Sequence, residues 1–251
     1  MGIEKLDAIV MRTYPLRDTS RIVHLLTPQR GHIKLVAKGA RAPRSRFGAA
    51  LEPFTLIRVV AYYKANRDLQ LLSQADILRA RRVLARSVLR YAYASAVIEL
   101  LEQFLGGEES SPPLFIEVDA SLTTLEGVVE TELRAAFMGF IVRLLTLQGY
   151  RPELDRCILC GAPPGEGMGF DAVRGGLVCR RCHCGVGGAL PLPAAARELL
   201  VRLLTAGAAE PLAPALGDAV ARLLEAFLRH HLPRYRRLRS LELVRAVTSR
   251  D

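Results

Sequence analysis

At 251 residues the chain is long enough for two or three compact units, each with its own core. Half of it is apolar, but no unbroken apolar run approaches the roughly 20 residues of a membrane helix. The N-terminus, with Glu4, Lys5 and Asp7, has no signal-peptide core, so a soluble cytoplasmic protein is expected.

The formal charge is +10, with a pI near 9.8, and the charge is segregated. Residues 1–80 hold 14 Lys and Arg against 6 Asp and Glu, whereas Glu99 to Leu133 carry nine acids and no Lys or Arg. One part of the molecule should attract a polyanion and another repel it.

The first 76 residues predict five short strands, at Ala8 to Met11, Arg21 to Leu26, His32 to Lys38, Thr55 to Tyr63 and Leu69 to Ala75. Pro28-Gln29-Arg30-Gly31 makes a turn between the second and third, and Asn66-Arg67-Asp68 can close a hairpin between the last two. A five-stranded barrel of the OB type fits this count and commonly binds oligonucleotides across one face. An SH3-like barrel fits the count as well.

The third strand leads into the densest cationic loop of this half. Ile33, Leu35 and Ala37 alternate with Lys34, Val36 and Lys38, which puts both lysines on the wetter face. Gly39 then releases the chain into a loop with Arg41, Arg44 and Arg46 and no acid before Glu52. Mutual repulsion should hold that loop open until a polyanion neutralises it. Arg21, Lys34, Lys38, Arg41, Arg44 and Arg46 are therefore the candidate nucleic-acid contacts. A solvated loop without a ligand is the plainer reading.

After Asp76 the period becomes helical. Val83, Leu84, Val88, Tyr91, Ala94, Ile98, Leu101 and Leu105 mark one long helix stopping at Gly106-Gly107. Ser111 before Pro112 and Pro113 caps a second helix through Leu122 to Leu125. Leu133 to Leu145 mark a third, ending at Gly149, and further helices are expected over Ala194 to Thr205, Asp218 to Leu232 and Leu238 to Val247.

All five cysteines fall between Cys157 and Cys184, in a Gly and Pro-rich stretch that apolar burial alone would not fold. Cys157-Ile158-Leu159-Cys160 and Cys179-Arg180-Arg181-Cys182 are two C-x2-C pairs separated by eighteen residues, the spacing of a tetrahedral zinc site. Gly161 after the second cysteine and Gly185 after Cys184 favour the tight turns that such pairs need. Four thiolates close the coordination shell, so one structural Zn2+ is expected rather than a catalytic one. His183 or Cys184 could replace one ligand. An odd cysteine count argues against a disulfide framework, and two facing pairs do not suit a thioredoxin-like site.

The basic run Arg229, Arg234, Arg236, Arg237 and Arg239 could extend a nucleic-acid track or pair with the acidic stretch of Glu99 to Glu132. In the first 80 residues Tyr14, Phe47, Phe54, Tyr62 and Tyr63 are the candidate stacking residues, and a core will claim several, so phosphate contacts should dominate.

With these residues in view, the chain resembles the RecO family of recombination mediators. Ala8-Ile9-Val10, Leu26-Thr27 with Gly31, Leu35-Val36-Ala37-Lys38-Gly39-Ala40-Arg41, Leu51-Glu52-Pro53-Phe54 and Arg239-Ser240-Leu241 carry the resemblance, together with the C-x2-C pairs. It implies an α+β multidomain protein: an N-terminal OB-fold, here residues 1–79, then a helical domain, residues 80–251, with a zinc-ribbon insertion at 155–188. It also implies no enzymatic site, binding of single- and double-stranded DNA, strand annealing, and partnership with RecR and single-stranded DNA-binding protein so that RecA can load. The chain departs from many members at Pro15-Leu16-Arg17-Asp18, where an acidic residue commonly stands two places after the aromatic. A zinc-ribbon RNA-binding protein of the translation apparatus is the alternative that shares the charge and the cysteine pairs.

Overall fold

The computed structural model describes residues 2–63, 69–105, 110–183, 187–205, 210–232 and 234–248. The turn expected at Asn66-Arg67-Asp68, the stop at Gly106-Gly107, Gly185 and Cys184 lie outside them. The chain divides into two compact units, Met1–Ala94 with Phe104–Glu126 and Ser95–Gln103 with Gly127–Asp251.

In the first unit five strands, β1 (Gly2–Leu16), β2 (Ser20–Thr27), β3 (Gly31–Ala37), β4 (Leu56–Tyr63) and β5 (Gln70–Arg79), form a closed sheet in the order β1-β2-β3-β5-β4. All pairings are antiparallel except the closing one, where β3 runs parallel to β5 over Leu35↔Gln70 and Val36↔Leu71. The inward parity carries Leu6, Ala8, Val10, Val23, Leu25, Ile33, Leu35, Ile57, Val59 and Leu72, all buried in one core. Each Val, Leu or Ile among them contributes about 1.5–3 kcal/mol on leaving water.

The second to fifth strands lie close to the expected spans. The first is much longer than Ala8 to Met11. Those four residues are all buried because Ile9 and Met11 are covered as well as the inward Ala8 and Val10. The polar ends of the strand, pairing with β4 on one side of that block and with β2 on the other, lack any apolar alternation to mark them. A β-bulge between Val10 and Arg12 adds one residue to the strand.

The single long helix expected from Val83 is two: α1 (Arg82–Arg86) and α2 (Val88–Phe104), interrupted at Ser87, which is extended at φ −120° and ψ 131°. The Ser87 hydroxyl accepts the Arg90 N–H, so a helix N-cap stands inside an unbroken apolar stripe. Helix α3 (Pro112–Gly127) starts at the two prolines and buries Leu114, Val118, Leu122 and Leu125. Arg81, 3 % exposed, donates to the Phe54 carbonyl at 2.7 Å and pairs with Asp119 and Glu126 of α3, tying that helix to the sheet.

In the second unit α4 (Leu133–Leu147) is buried along most of its length and ends before Gly149, whose φ of +85° closes the turn. A small sheet of β6 (Glu153–Cys157), β7 (Gly169–Asp171), β8 (Gly176–Val178) and β9 (Leu190–Pro191), in the order β6-β8-β7-β9, and the short α5 (Arg180–His183) occupy the cysteine segment. Helix α6 (Ala194–Thr205) and α7 (Pro214–His231) pack on α4. Helix α7 begins at Pro214, not Asp218, with the proline in its first turn. Last comes α8 (Ser240–Thr248).

Candidate nucleic-acid interface and metal centre

The outward face of β1, β2 and β3 is set by register. The Thr27 hydroxyl accepts the Arg30 N–H and donates to the Gly31 carbonyl, and this turn places His24 opposite Lys34 and Leu26 opposite His32. Across β1, Arg12 faces His24 and Tyr14 faces Ile22. Directly opposed residues share a face, so Arg12, Tyr14, His24, His32 and Lys34 lie together. The imidazoles touch, with His24 Nδ1 3.1 Å from His32 Nε2, and the Tyr14 ring stands edge-on to His24 at 5.2 Å between centroids. Burial, then the neighbouring Lys34 and Arg12, push His24 below the ordinary histidine range. Burial, then His24 and Lys34, bring His32 to about 4.

Of the six expected contacts, Lys34 is exposed on this face, and Lys38, Arg41, Arg44 and Arg46 are exposed beyond the end of β3. Arg21 is half-buried, opposite Ala37 and on the parity of Val23 and Leu25. It therefore belongs to the end of the sheet, beside the start of the loop, and does not share Lys34's face. Among the described residues no ion pair engages any of the six. Arg30 and Arg58 of the same unit are instead paired, with Glu4 and Asp7.

The loop is not the open, self-repelling segment that its charge suggests. Gly39 leaves the strand at φ +72°, the Arg41 N–H donates to the Thr19 carbonyl at 2.9 Å, and the Arg41 guanidinium donates to the Arg17 carbonyl. Successive turns bond Ala42 to Gly39 and Ser45 to Ala42. Phe47, Ala50 and Leu51 anchor the far end in the core. Backbone hydrogen bonds and one buried ring outweigh repulsion between solvated arginines, which water and salt screen. Phe47 and Phe54 are buried and so are not available for stacking.

Sequence reasoning passed over Arg12, His24 and His32. The signal was present: once Pro28 to Gly31 is read as a turn, counting back from it brings His24 opposite Lys34.

In the second unit Cys157, Cys160, Cys179 and Cys182 converge, their sulfurs all within 4.8 Å of one another. Each C-x2-C folds into a knuckle: the Gly161 N–H donates to the Cys157 carbonyl, with Gly161 at φ +73°, and the Cys182 and His183 N–H groups donate to the Cys179 carbonyl. The parallel pairing of β6 with β8 joins the knuckles, and the Cys179 N–H points at the Cys157 sulfur. Burial opposes a Cys157 thiolate, but N–H groups of Cys179, Cys160 and Leu159 outweigh it and hold the thiol down at about 6. Cys182 is pushed up to about 12 by hydrogen bonding with Cys160 and then Cys179. Four sulfurs so close cannot all ionise without a cation among them, and four soft thiolates suit a tetrahedral ion. His183 is not in the cluster; its Nε2 lies 3.1 Å from the Ala189 carbonyl.

Among the described residues no side chain of the C-terminal arginines pairs with the acidic stretch. Arg229 and Arg237 both bind Glu225 of α7. Glu99 accepts instead the backbone N–H groups of Arg239 and Ser240 and the Ser240 hydroxyl, capping α8.

Two family models match nearly end to end: Recombination protein O N terminal over residues 1–81 and Recombination protein O C terminal over residues 85–242. Proteins named DNA repair protein RecO are similar over most of their length. That of Anaeromyxobacter dehalogenans is 39 % identical, covering 93 % of both chains. That of Thermobifida fusca is 37 % identical, over 97 % of this chain and 99 % of its own. That of Myxococcus xanthus is 32 % identical over 96 % of each. None of these relatives supports an RNA-binding protein of the translation apparatus. A closed five-stranded sheet with a cationic loop, a helical region and a four-cysteine cluster, matched over both halves at this identity, place the chain in the RecO family of DNA repair proteins.

Proposed function

We propose that the chain acts as a recombination mediator: it binds single- and double-stranded DNA mainly through phosphates, anneals complementary strands, and with RecR helps RecA load on DNA coated by single-stranded DNA-binding protein. The observation that carries this is the group Lys34, Lys38, Arg41, Arg44 and Arg46, exposed and without an ion pair among the described residues, while Arg30 and Arg58 nearby are neutralised. Unpaired cations on a tethered loop cancel phosphate repulsion and leave base edges free to pair, which annealing requires. The strand order and short closing ladder support an OB-type barrel over residues 1–79 as the DNA-binding domain, followed by a helical domain over 80–251.

The cysteine cluster is proposed to hold one structural zinc within the 155–188 insertion. A tetrahedron of Zn–S bonds of about 2.3 Å sets sulfurs about 3.8 Å apart, and Cys160 Sγ and Cys179 Sγ are at 3.7 Å. The ion would brace the β6-β8 knuckles, and no catalytic residue is assigned. The protein works in the cytoplasm, at the nucleoid.

Annealing of complementary strands coated with single-stranded DNA-binding protein, with and without this protein, tests the reading. Faster annealing is expected. An unchanged rate removes the mediator role.

A further inference from the structure

The outward face of β1–β3 is more than a patch of charge. Tyr14, His24 and His32 form an unbroken row of rings, with centroids 5.2 Å apart for the first pair and 5.1 Å for the second. The row is bordered by Arg12 on β1 and Lys34 on β3, the charged groups that face it. Each imidazole satisfies a nitrogen of the other, so the row offers ring surface more than free polar atoms. Both imidazoles cannot carry a proton on the nitrogens that face each other, and a second positive charge there would stand against Lys34 and Arg12. The pair is therefore held neutral and apolar in character where a plain cationic groove would carry more charge.

We propose that Tyr14, His24 and His32 are a stacking row that receives unstacked bases of a single strand, with Lys34 holding the adjoining phosphate. The proposal rests on the nucleic-acid reading above and adds to it a base contact that phosphate binding alone lacks. Every base has a π-face, so the contact tolerates any sequence, and a duplex, whose bases already stack on one another, cannot use it. The row therefore favours single strands over duplex at the same face.

Binding of the full chain to an oligothymidylate and to an abasic sugar-phosphate oligomer of equal length tests this. The native protein should bind the oligothymidylate about tenfold tighter than the abasic oligomer. His24→Ala with His32→Ala should lose about that factor on oligothymidylate, lose nothing on the abasic oligomer, and keep the same salt slope. His24→Phe with His32→Phe, which keeps two rings, should recover the base-dependent gain. Lys34→Gln should weaken both ligands and lower the slope by about 0.7. Should the double alanine variant not fold, Tyr14→Ala at an exposed position reads the same row and should lose about fivefold on oligothymidylate alone. Equal losses on both ligands, or alanine variants that bind oligothymidylate as the native protein does, overturn the stacking row. A native protein that binds both oligomers equally well overturns the row and leaves the phosphate-binding reading intact, whereas one that binds neither overturns both.

Discussion

The sulfurs of Cys160 and Cys179 stand 3.7 Å apart although eighteen residues of chain separate them. Four sulfurs within 4.8 Å of one another have the spacing that one shared ion would need. Mass spectrometry under native conditions should find one zinc per chain. Cys160→Ser should lose it, and a loss of ~3 kcal/mol would lower the melting temperature of the second unit by roughly 6–12 °C. A chelated protein that melts like the untreated one would rule out a structural metal.

Replacing Lys38, Arg41 and Arg44 together with glutamine should weaken single-strand binding at every sequence. Five phosphate contacts give a slope of log affinity against log salt of about −3.5, and the two that remain give about −1.4. Titration at several salt concentrations measures both, and a slope that stays put would mean these side chains do not touch the strand.

Below neutral pH the first unit should lose stability through the imidazole pair. His32 titrates at about 4 in the fold, against 6.5 for a free histidine, so the fold prefers its neutral form. Between those values the unfolded chain binds more protons than the native one. The contribution is intact above pH 6.5 and is lost as the pH falls towards 4. Melting temperatures across this range should fall more steeply for the native protein than for His32→Phe; parallel curves would show that the pair does not govern the acid limb.

Arg81 is a buried cation whose removal and whose abandonment differ. Asp119→Ala leaves the guanidinium inside with Glu126 at 3.5 Å as its remaining carboxylate, and should cost ~2–4 kcal/mol in chemical denaturation. Arg81→Met, which removes the charge with similar volume, should cost less. The reverse order would mean that the ion pair with Asp119 contributes little.

Where side-chain periodicity and burial coincide, the sequence is easy to read. His32 to Lys38 alternates because one face is core and the other water, and the strand lies where it was expected. The long strand β1 was hidden for the opposite reason: both faces of Ala8–Met11 are covered, and its ends pair through backbone groups that carry no side-chain signature. The break at Ser87 was masked because the apolar stripe runs on through it, although Ser87 itself is a cap residue. The small β6–β9 sheet has strands of two to five residues, too short for any period to show, and their positions follow from the cysteines more than from hydrophobicity.

The four-cysteine cluster was legible because C-x2-C spacing encodes local geometry. The exposed cations were legible as composition, but which of them share a face was not, since that depends on register. Arg21 shows the difference: its charge is plain in the sequence, and its inward parity appears only once Ala37 is known to lie opposite.

The extra residue at the Val10–Arg12 bulge acts as a phase boundary within one strand. Strict alternation counted from Ala8 and Val10 would aim Arg12 and Tyr14 at the barrel interior; the inserted Met11 reverses their aim and turns them to solvent. The strand thereby spends its first half as wall, with Ile9 sealed from water, and carries Tyr14 exposed in its second half. Removing Met11 would leave an unbroken ladder with Val10 opposite Leu25 and Arg12 opposite His24, whereas losing the bulge by pairing Met11 with His24 would turn Arg12 and Tyr14 inward.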